Sequence, residues 1–251
     1  MLTPLQIKDL LEENKGHECE GVGKEHVCVR IAAIADLPSR FGQFQVVAFW
    51  NNRDGKEHAA FVHGDIRDRD DVPVRMHSEC LTGDAVGSLR CDCRDQLEAS
   101  LRALGSMERG MLLYLRQEGR GIGLMNKIRA YSLQDYGLDT VEANLALGFR
   151  DDERDYSVAA HMIWSLHVRS VRLMTNNPRK IDGLRSLGVR VSGRIPLVVP
   201  PNDYNRFYLE TKARKSGHIL DPGGKEHLLE QMDRPIVEGM TAQEAVDVQE
   251  G

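Results

Sequence analysis

The sequence predicts an α/β fold in which an N-terminal antiparallel strand meander leads into a mixed, largely parallel sheet with crossover helices. Three observations carry that expectation. Across 26–74 the runs HVCVRIAAIADL, FGQFQVVAFW and HAAFVHGDI are rich in β-branched and aromatic residues and are divided by turn residues, Asn52-Arg53-Asp54-Gly55 among them, as in hairpin-linked strands. After Cys93 short apolar runs alternate with amphipathic stretches of helical period, the rhythm of parallel strands joined by crossover helices. A length of 251 residues with 41% hydrophobic content is enough for one large domain, or a domain with a smaller companion.

Thr3-Pro4-Leu5-Gln6 has the form of a capping box with proline at the first helical position, and Gly16 ends the helix that it starts. The meander follows. Beyond it the pattern predicts a helix over 95–104, a buried strand over 111–115 and a helix over 124–136. It then gives a helix over 156–166, a strand over 170–175, a helix over 178–187, a strand over 189–194 and a last helix over 205–216. The tetrapeptide Gly-Lys-Glu-His recurs at 23, 55 and 224, but the spacings share no period, so no repeat architecture is implied. The expected organisation is a helical extension over 1–25, a main body over 26–220 and an acidic tail over 221–251.

The formal net charge of −5 gives no footprint for bulk nucleic-acid binding. The last 31 residues carry eight Asp/Glu against two Lys/Arg, which leaves a near-neutral body whose local arginine clusters suit a small polyanion better than a duplex. No run approaches the length of a membrane span, and MLTPLQIKDLLEEN lacks the basic and apolar regions of a secretory signal. The expectation is a cytoplasmic protein with no membrane partner. Five cysteines in such a chain fit reduced thiols and a metal better than a disulfide framework.

Three of those five, Cys80, Cys91 and Cys93, fall within fourteen positions of RMHSECLTGDAVGSLRCDC. Residues i and i+2 share a face in a strand and diverge in a helix, so the Cys-x-Cys pair predicts extended backbone at 91–93. A loop over 81–89 containing Gly83 and Gly87 returns the chain to Cys80. Soft sulfur ligands favour zinc. Three ligands leave a position open, as in a catalytic site, whereas His77, Cys19 or Cys28 as a fourth ligand would close it into a structural one; buried thiols without metal are the plain alternative.

Gln117-Glu118-Gly119-Arg120-Gly121-Ile122-Gly123 lies between a predicted strand and a predicted helix, where backbone N–H groups and the helix dipole favour an anion. It is neither a Walker loop nor G-x-G-x-x-G, and a flexible turn would also account for its glycines. Arg120 adds a guanidinium able to grip phosphate through two bonds. In Asp151-Asp152-Glu153-Arg154-Asp155 the acids suit a helix N-terminus, but Arg154 among them is placed to be oriented or deprotonated by a carboxylate. Tyr131 reads as a core aromatic or as a phenol that positions water. In Thr175-Asn176-Asn177-Pro178-Arg179-Lys180 an asparagine cap and a proline at the first helical position account for the pattern by themselves.

HSECLTGDAVGSLRCDC, RQEGRGIGLMNKIRAYSLQD, DTVEANLALGFRDDERDY and LMTNNPRK, in this order, resemble the GTP cyclohydrolase II family, which opens riboflavin biosynthesis. The similarity runs over about 30–220. The resemblance implies that GTP loses C8 of its guanine as formate and releases pyrophosphate, leaving 2,5-diamino-6-ribosylamino-4(3H)-pyrimidinone 5′-phosphate. It implies one Zn2+ per chain on Cys80, Cys91 and Cys93, and Mg2+ bound with the triphosphate. Asp152 matches the family's proton acceptor, Arg154 its arginine nucleophile and Tyr131 a catalytic tyrosine. Arg75, Met76, His77, Ser78, Glu79, Gln96, Glu118, Gly119, Arg120, Thr140, Thr175 and Lys180 match its substrate contacts, and a homodimer is implied. Two alternatives stay open: a relative that stops at the formylated ring-opened product, and a non-catalytic nucleotide-binding protein with structural zinc.

Overall fold

The computed structural model describes residues 1–15, 26–202 and 204–205. Its α/β architecture is the predicted one and divides into two compact units. The described residues of the first lie within Met1–Ser78, Asp95–Arg116 and Asp155–Leu197; the second includes Glu79–Arg94 and Gln117–Arg154. The predicted helix over 205–216, beyond Asn205, and the acidic tail lie outside the described residues. Among the described residues no helix is long and apolar enough to cross a membrane.

The first unit is built on one seven-stranded sheet. Its strands are β1 (Val29–Ser39), β2 (Gly42–Asn51), β3 (His58–His63), β4 (Val72–Ser78), β5 (Gly110–Leu115), β6 (Val171–Met174) and β7 (Val191–Ile195), in the order β1-β2-β3-β5-β4-β6-β7. β1, β2, β3 and β5 pair antiparallel, whereas β4 is parallel to β5 and β6, and β6 to β7. β3 keeps one face covered, with burial alternating along HAAFVH, while most of β5 and β4 is buried on both faces, as central strands are. Strand β4 is a strand that the sequence pattern does not separate, because a strand buried on both faces shows no alternation.

Helix α1 (Pro4–Lys15) starts as predicted: the Thr3 N–H donates to Gln6 Oε1 at 2.8 Å and the Gln6 N–H to Thr3 Oγ1 at 3.3 Å. Leu2 and Leu10 join the main core with Val47, Phe49, Met111, Leu113 and Leu173. Helix α2 (Leu81–Asp84) is a single turn. Helix α3 (Cys93–Ser106) precedes β5, α4 (Gly123–Asp135) and α5 (Thr140–Ala146) follow it, α6 (Ser157–Ser165) leads to β6, and α7 (Pro178–Ser186) connects β6 to β7. The second unit's α4 and α5 meet over a small apolar cluster of Ala130, Leu133 and Ala143.

Two expectations are corrected. Cys93 is the first residue of α3, so the Cys-x-Cys pair does not lie on extended backbone; a bend at the helix entrance brings the two side chains together instead. Cys28 is disulfide-bonded, which departs from the expectation of reduced thiols throughout and removes Cys28 as a metal ligand.

Candidate active site

Cys80 ends the approach to α2, Cys91 precedes the bend and Cys93 opens α3, and their ligand atoms lie within 4.8 Å of one another. The Cys80 and Cys91 sulfurs are 3.7 Å apart. Tetrahedral thiolates about 2.3 Å from a zinc ion would be separated by about 3.8 Å. Gly83 leaves the space that makes this approach feasible, since a Cβ there would meet Cys91 Sγ at 2.8 Å and Cys80 Sγ at 3.0 Å. The donor set and spacing therefore fit a soft metal ion, and no described His, Asp or Glu joins the three within that distance.

The thiols do not titrate alike. Hydrogen bonds from Cys91 and Cys93, together with the Lys127 ammonium, pull the Cys80 thiol far below its ordinary range. Cys91 is pushed up to about 11, first by its bond to Cys80 and then by burial. Cys93 is raised by the same neighbours and by burial. A metal entering the cluster thus displaces protons from the latter two, so its affinity falls in acid.

Around the sulfurs the second unit builds a polar shell. Lys127, on α4, donates to Cys80 Sγ at 3.1 Å, to Thr82 Oγ1 at 2.9 Å and to Glu118 Oε1 at 2.7 Å. Glu118 also accepts the Leu81 N–H at 2.6 Å and the Gly119 N–H at 2.9 Å, so its carboxylate fastens the glycine loop to the start of α2. Tyr131 lies one helical turn beyond Lys127, its hydroxyl 3.5 Å from Thr82 Oγ1 and its ring under the Arg90 guanidinium at 5.0 Å. Burial raises the Tyr131 phenol, with the neighbouring thiols adding to it against Thr82 and Lys127. It therefore stays protonated at neutral pH.

The glycine loop forms a tight 3-10 turn over Glu118–Gly121 in which Gly119 and Arg120 have φ of 61° and 58°. Left-handed backbone at a non-glycine residue costs about 1–2 kcal/mol, and such strain gathers at functional positions. The Arg120 carbonyl accepts the Glu153 N–H at 3.0 Å, and its Nη1 donates to the Asp151 carbonyl at 3.1 Å. Gly121 is needed because a Cβ would stand 3.0 Å from the Glu153 backbone. This stitches the loop to the segment carrying Asp152 and Arg154, whose side chains form a two-bond pair: Arg154 Nε donates to Oδ1 at 2.7 Å and Nη2 to Oδ2 at 2.5 Å. Burial would raise the Asp152 carboxyl, but Arg154 and Arg120 outweigh it and hold it low. Thr140 is the first residue of α5, behind the capping residue Asp139.

In the first unit the other predicted residues gather at the C-terminal ends of β4 and β6. Arg75 donates to Gln96 Oε1 at 2.6 Å and to the Met174 carbonyl at 3.1 Å. Lys180 is buried and donates to the Met76 carbonyl at 2.7 Å. Thr175 Oγ1 accepts the Asn177 N–H at 3.0 Å, and Asn177 caps α7 through the Arg179 N–H at 2.9 Å. His77 stacks on Tyr114 with ring centroids 5.5 Å apart. Met76 points into the core with its carbonyl held by Lys180, and Ser78 closes β4. Glu79 is half-buried just before Cys80, in the second unit.

The GTP cyclohydrolase II family model matches residues 29–196. A GTP cyclohydrolase-2 of Picrophilus torridus is 57% identical over 186 residues, 74% of this chain and 96% of that protein. The chain belongs to the GTP cyclohydrolase II family. Its similarity to the GTP cyclohydrolase-2 of Actinobacillus succinogenes is 55% over 196 residues, 78% of this chain and 90% of that one. The riboflavin biosynthesis protein RibBA of Synechocystis sp. is 52% identical over 221 residues, covering 87% of this chain but 38% of the relative.

For this member of the GTP cyclohydrolase II family, sequence reasoning missed Lys127, Thr82 and the packing role of Gly83. Lys127 and Tyr131 are four apart, a spacing that puts both on one helix face, and that was the available signal. It also missed α5, although Asp139-x-x-Glu142 has the capping-box spacing: Asp139 Oδ1 accepts the Val141 and Glu142 N–H groups while the Asp139 N–H donates to Glu142 Oε2.

Proposed function

We propose that the chain is a zinc-dependent GTP cyclohydrolase II that hydrolytically opens the guanine imidazole ring of GTP, releasing formate and pyrophosphate. The product is the diaminopyrimidinone ribosyl phosphate that begins riboflavin biosynthesis. The observation that carries this reading is the convergence of Cys80, Cys91 and Cys93 in a chain matched to the family over 29–196. Zinc on those thiolates, when bound, supplies Lewis acidity and lowers the pKa of water near C8.

The chain's own groups divide the remaining tasks. Tyr131 keeps its proton, so it donates a hydrogen bond and orients water, with Glu79 as the carboxylate that assists proton transfer. Gly119 and Arg120 present backbone and guanidinium to phosphate oxygens, and Mg2+, when bound with the nucleotide, would neutralise charge on the triphosphate. Arg75, Met76, His77, Ser78, Gln96, Glu118, Thr140, Thr175 and Lys180 bind and orient the nucleotide. In the family's covalent scheme Arg154 attacks the α-phosphorus, the bond to the oxygen bridging to the β-phosphate breaks with pyrophosphate as the leaving group, and water later hydrolyses the N–P bond to give the 5′-monophosphate. Asp152 fixes the guanidinium plane and accepts its proton; because its carboxyl is held low, the ion pair is the resting state and the transfer occurs only as the N–P bond forms. The protein acts as a cytoplasmic homodimer with GTP as its substrate and without a nucleic-acid or membrane partner.

The test follows formate and pyrophosphate in parallel from GTP and Mg2+, with the product mass recorded. The parent should release both. A product that keeps the formyl mass would assign the chain to the branch that stops after ring opening, and zinc without turnover would make it a binding protein. Folded Cys93→Ser should release little formate yet still liberate pyrophosphate. Equal loss of both would contradict this division of labour.

A further inference from the structure

Lys127 is a buried cation to which none of the roles above assigns a task. Its side chain is 9% exposed, and an ammonium offers three donors and no acceptor. Three acceptors stand around Nζ: Cys80 Sγ at 3.1 Å, Thr82 Oγ1 at 2.9 Å and Glu118 Oε1 at 2.7 Å. Each proton therefore has a destination, and the head group is fixed in direction as well as place. Three thiolates around a dication leave a net negative charge, and a cation donating to one sulfur offsets it.

The direction of these bonds reaches further. Because Nζ only donates, Thr82 Oγ1 accepts from it and keeps its own proton to give, with the Tyr131 oxygen 3.5 Å away and Cys80 Sγ 3.8 Å away. A bond given to Tyr131 would occupy a lone pair of the phenol and leave its O–H to point elsewhere. The ammonium also lies 5.6 Å from the Tyr131 ring centroid, within cation–π range.

We propose that Lys127 is a positioning residue of the metal centre, whose ammonium holds the Cys80 thiolate and, through Thr82, the Tyr131 phenol. The role rests on the metal reading above. It tightens metal binding by lowering the charge of the thiolate set, and it fixes which way the phenol donates.

The test compares the parent with Lys127→Met, which keeps length without charge or donors, and Lys127→Gln, which keeps a neutral donor. Zinc affinity is measured by competition with a chromophoric chelator, and the thiolate-to-cobalt charge-transfer band is recorded after replacement with Co2+. Lys127→Met should bind zinc about 10–100-fold more weakly, the usual cost of losing a partner of a ligand, with Lys127→Gln between it and the parent. The cobalt band should move to longer wavelength, because a sulfur that loses its donor gives up electrons more easily; a lysine that merely packed the helix would not shift it. A folded Lys127→Met protein within about twofold of the parent, with the band unmoved, overturns the role, and Lys127→Gln decides by the same two readings if the Met variant does not fold. A parent that binds no zinc overturns the metal reading and this role with it, whereas tight binding by parent and variants alike overturns the role alone.

Discussion

A methyl group at position 83 would sit 2.8 Å from the Cys91 sulfur and 3.0 Å from the Cys80 sulfur, closer than carbon and sulfur approach without one of them moving. Gly83→Ala should therefore weaken zinc binding by about 10-fold or more, like loss of an outer-shell partner, while circular dichroism stays that of the parent; unchanged affinity would show that the sulfurs have room to spare. Cys80→Ser, Cys91→Ser and Cys93→Ser should each lose most of the zinc on elemental analysis, and Cys28→Ser should keep it. Arg154→Ala should retain full zinc, because its guanidinium is paired with Asp152; loss of pyrophosphate release at full zinc occupancy would then report on the phosphate chemistry itself. The cysteine cluster was legible because soft donors at such short spacing suit a metal better than they suit a disulfide or an ordinary core, and the three sulfurs do converge. Lys127 was not, since a lysine on a helix ordinarily faces water and its partners Cys80 and Glu118 are brought to it by the fold.

The elements were legible where burial is one-sided. β3 and most of β2 alternate and α1 carries its cap in its first residues, so each could be read from a local window. β4 could not, because Val74, Arg75, Met76 and His77 are all buried, and a strand covered on both faces loses its period. Helix α5 has only seven residues, too few for a periodic signal, and its cap defines it where length defines other helices. Asp139→Ala removes the acceptor for two backbone N–H groups and should cost about 1 kcal/mol, read as a lower denaturant midpoint; no change would mean that packing on α4 alone holds α5. The entry of α3 misled the period-two argument, since a bend before a helix can bring residues i and i+2 together as a strand does.

At the scale of the whole molecule, acid should lower the protein's stability once pH falls below about 6.5. Burial depresses His58, which lies on β3, and its Nδ1 accepts the Arg116 N–H at 3.0 Å, an arrangement that only the neutral ring can make. Below its ordinary value of about 6.5 the unfolded chain takes up a proton that the folded chain refuses, so stability falls as pH drops towards the folded value. The depressed carboxyls of Asp54 and Asp155 add to the loss at lower pH. Urea midpoints should fall as pH drops below about 6.5, and a His58→Gln protein should show a shallower slope; an equal slope would place the effect elsewhere. The order of the sheet also bears on how the chain folds as it is made. β1, β2 and β3 pair with their sequence neighbours, so the meander can close as soon as it leaves the ribosome, whereas β4 finds one partner in β5 and the other only in β6, where Val72 pairs with Val171. At roughly 5–20 residues per second, one edge of this apolar strand waits several seconds for its neighbour. That interval is the nascent protein's window for aggregation or chaperone capture, and a ribosome stalled before Val171 should present β4 to both.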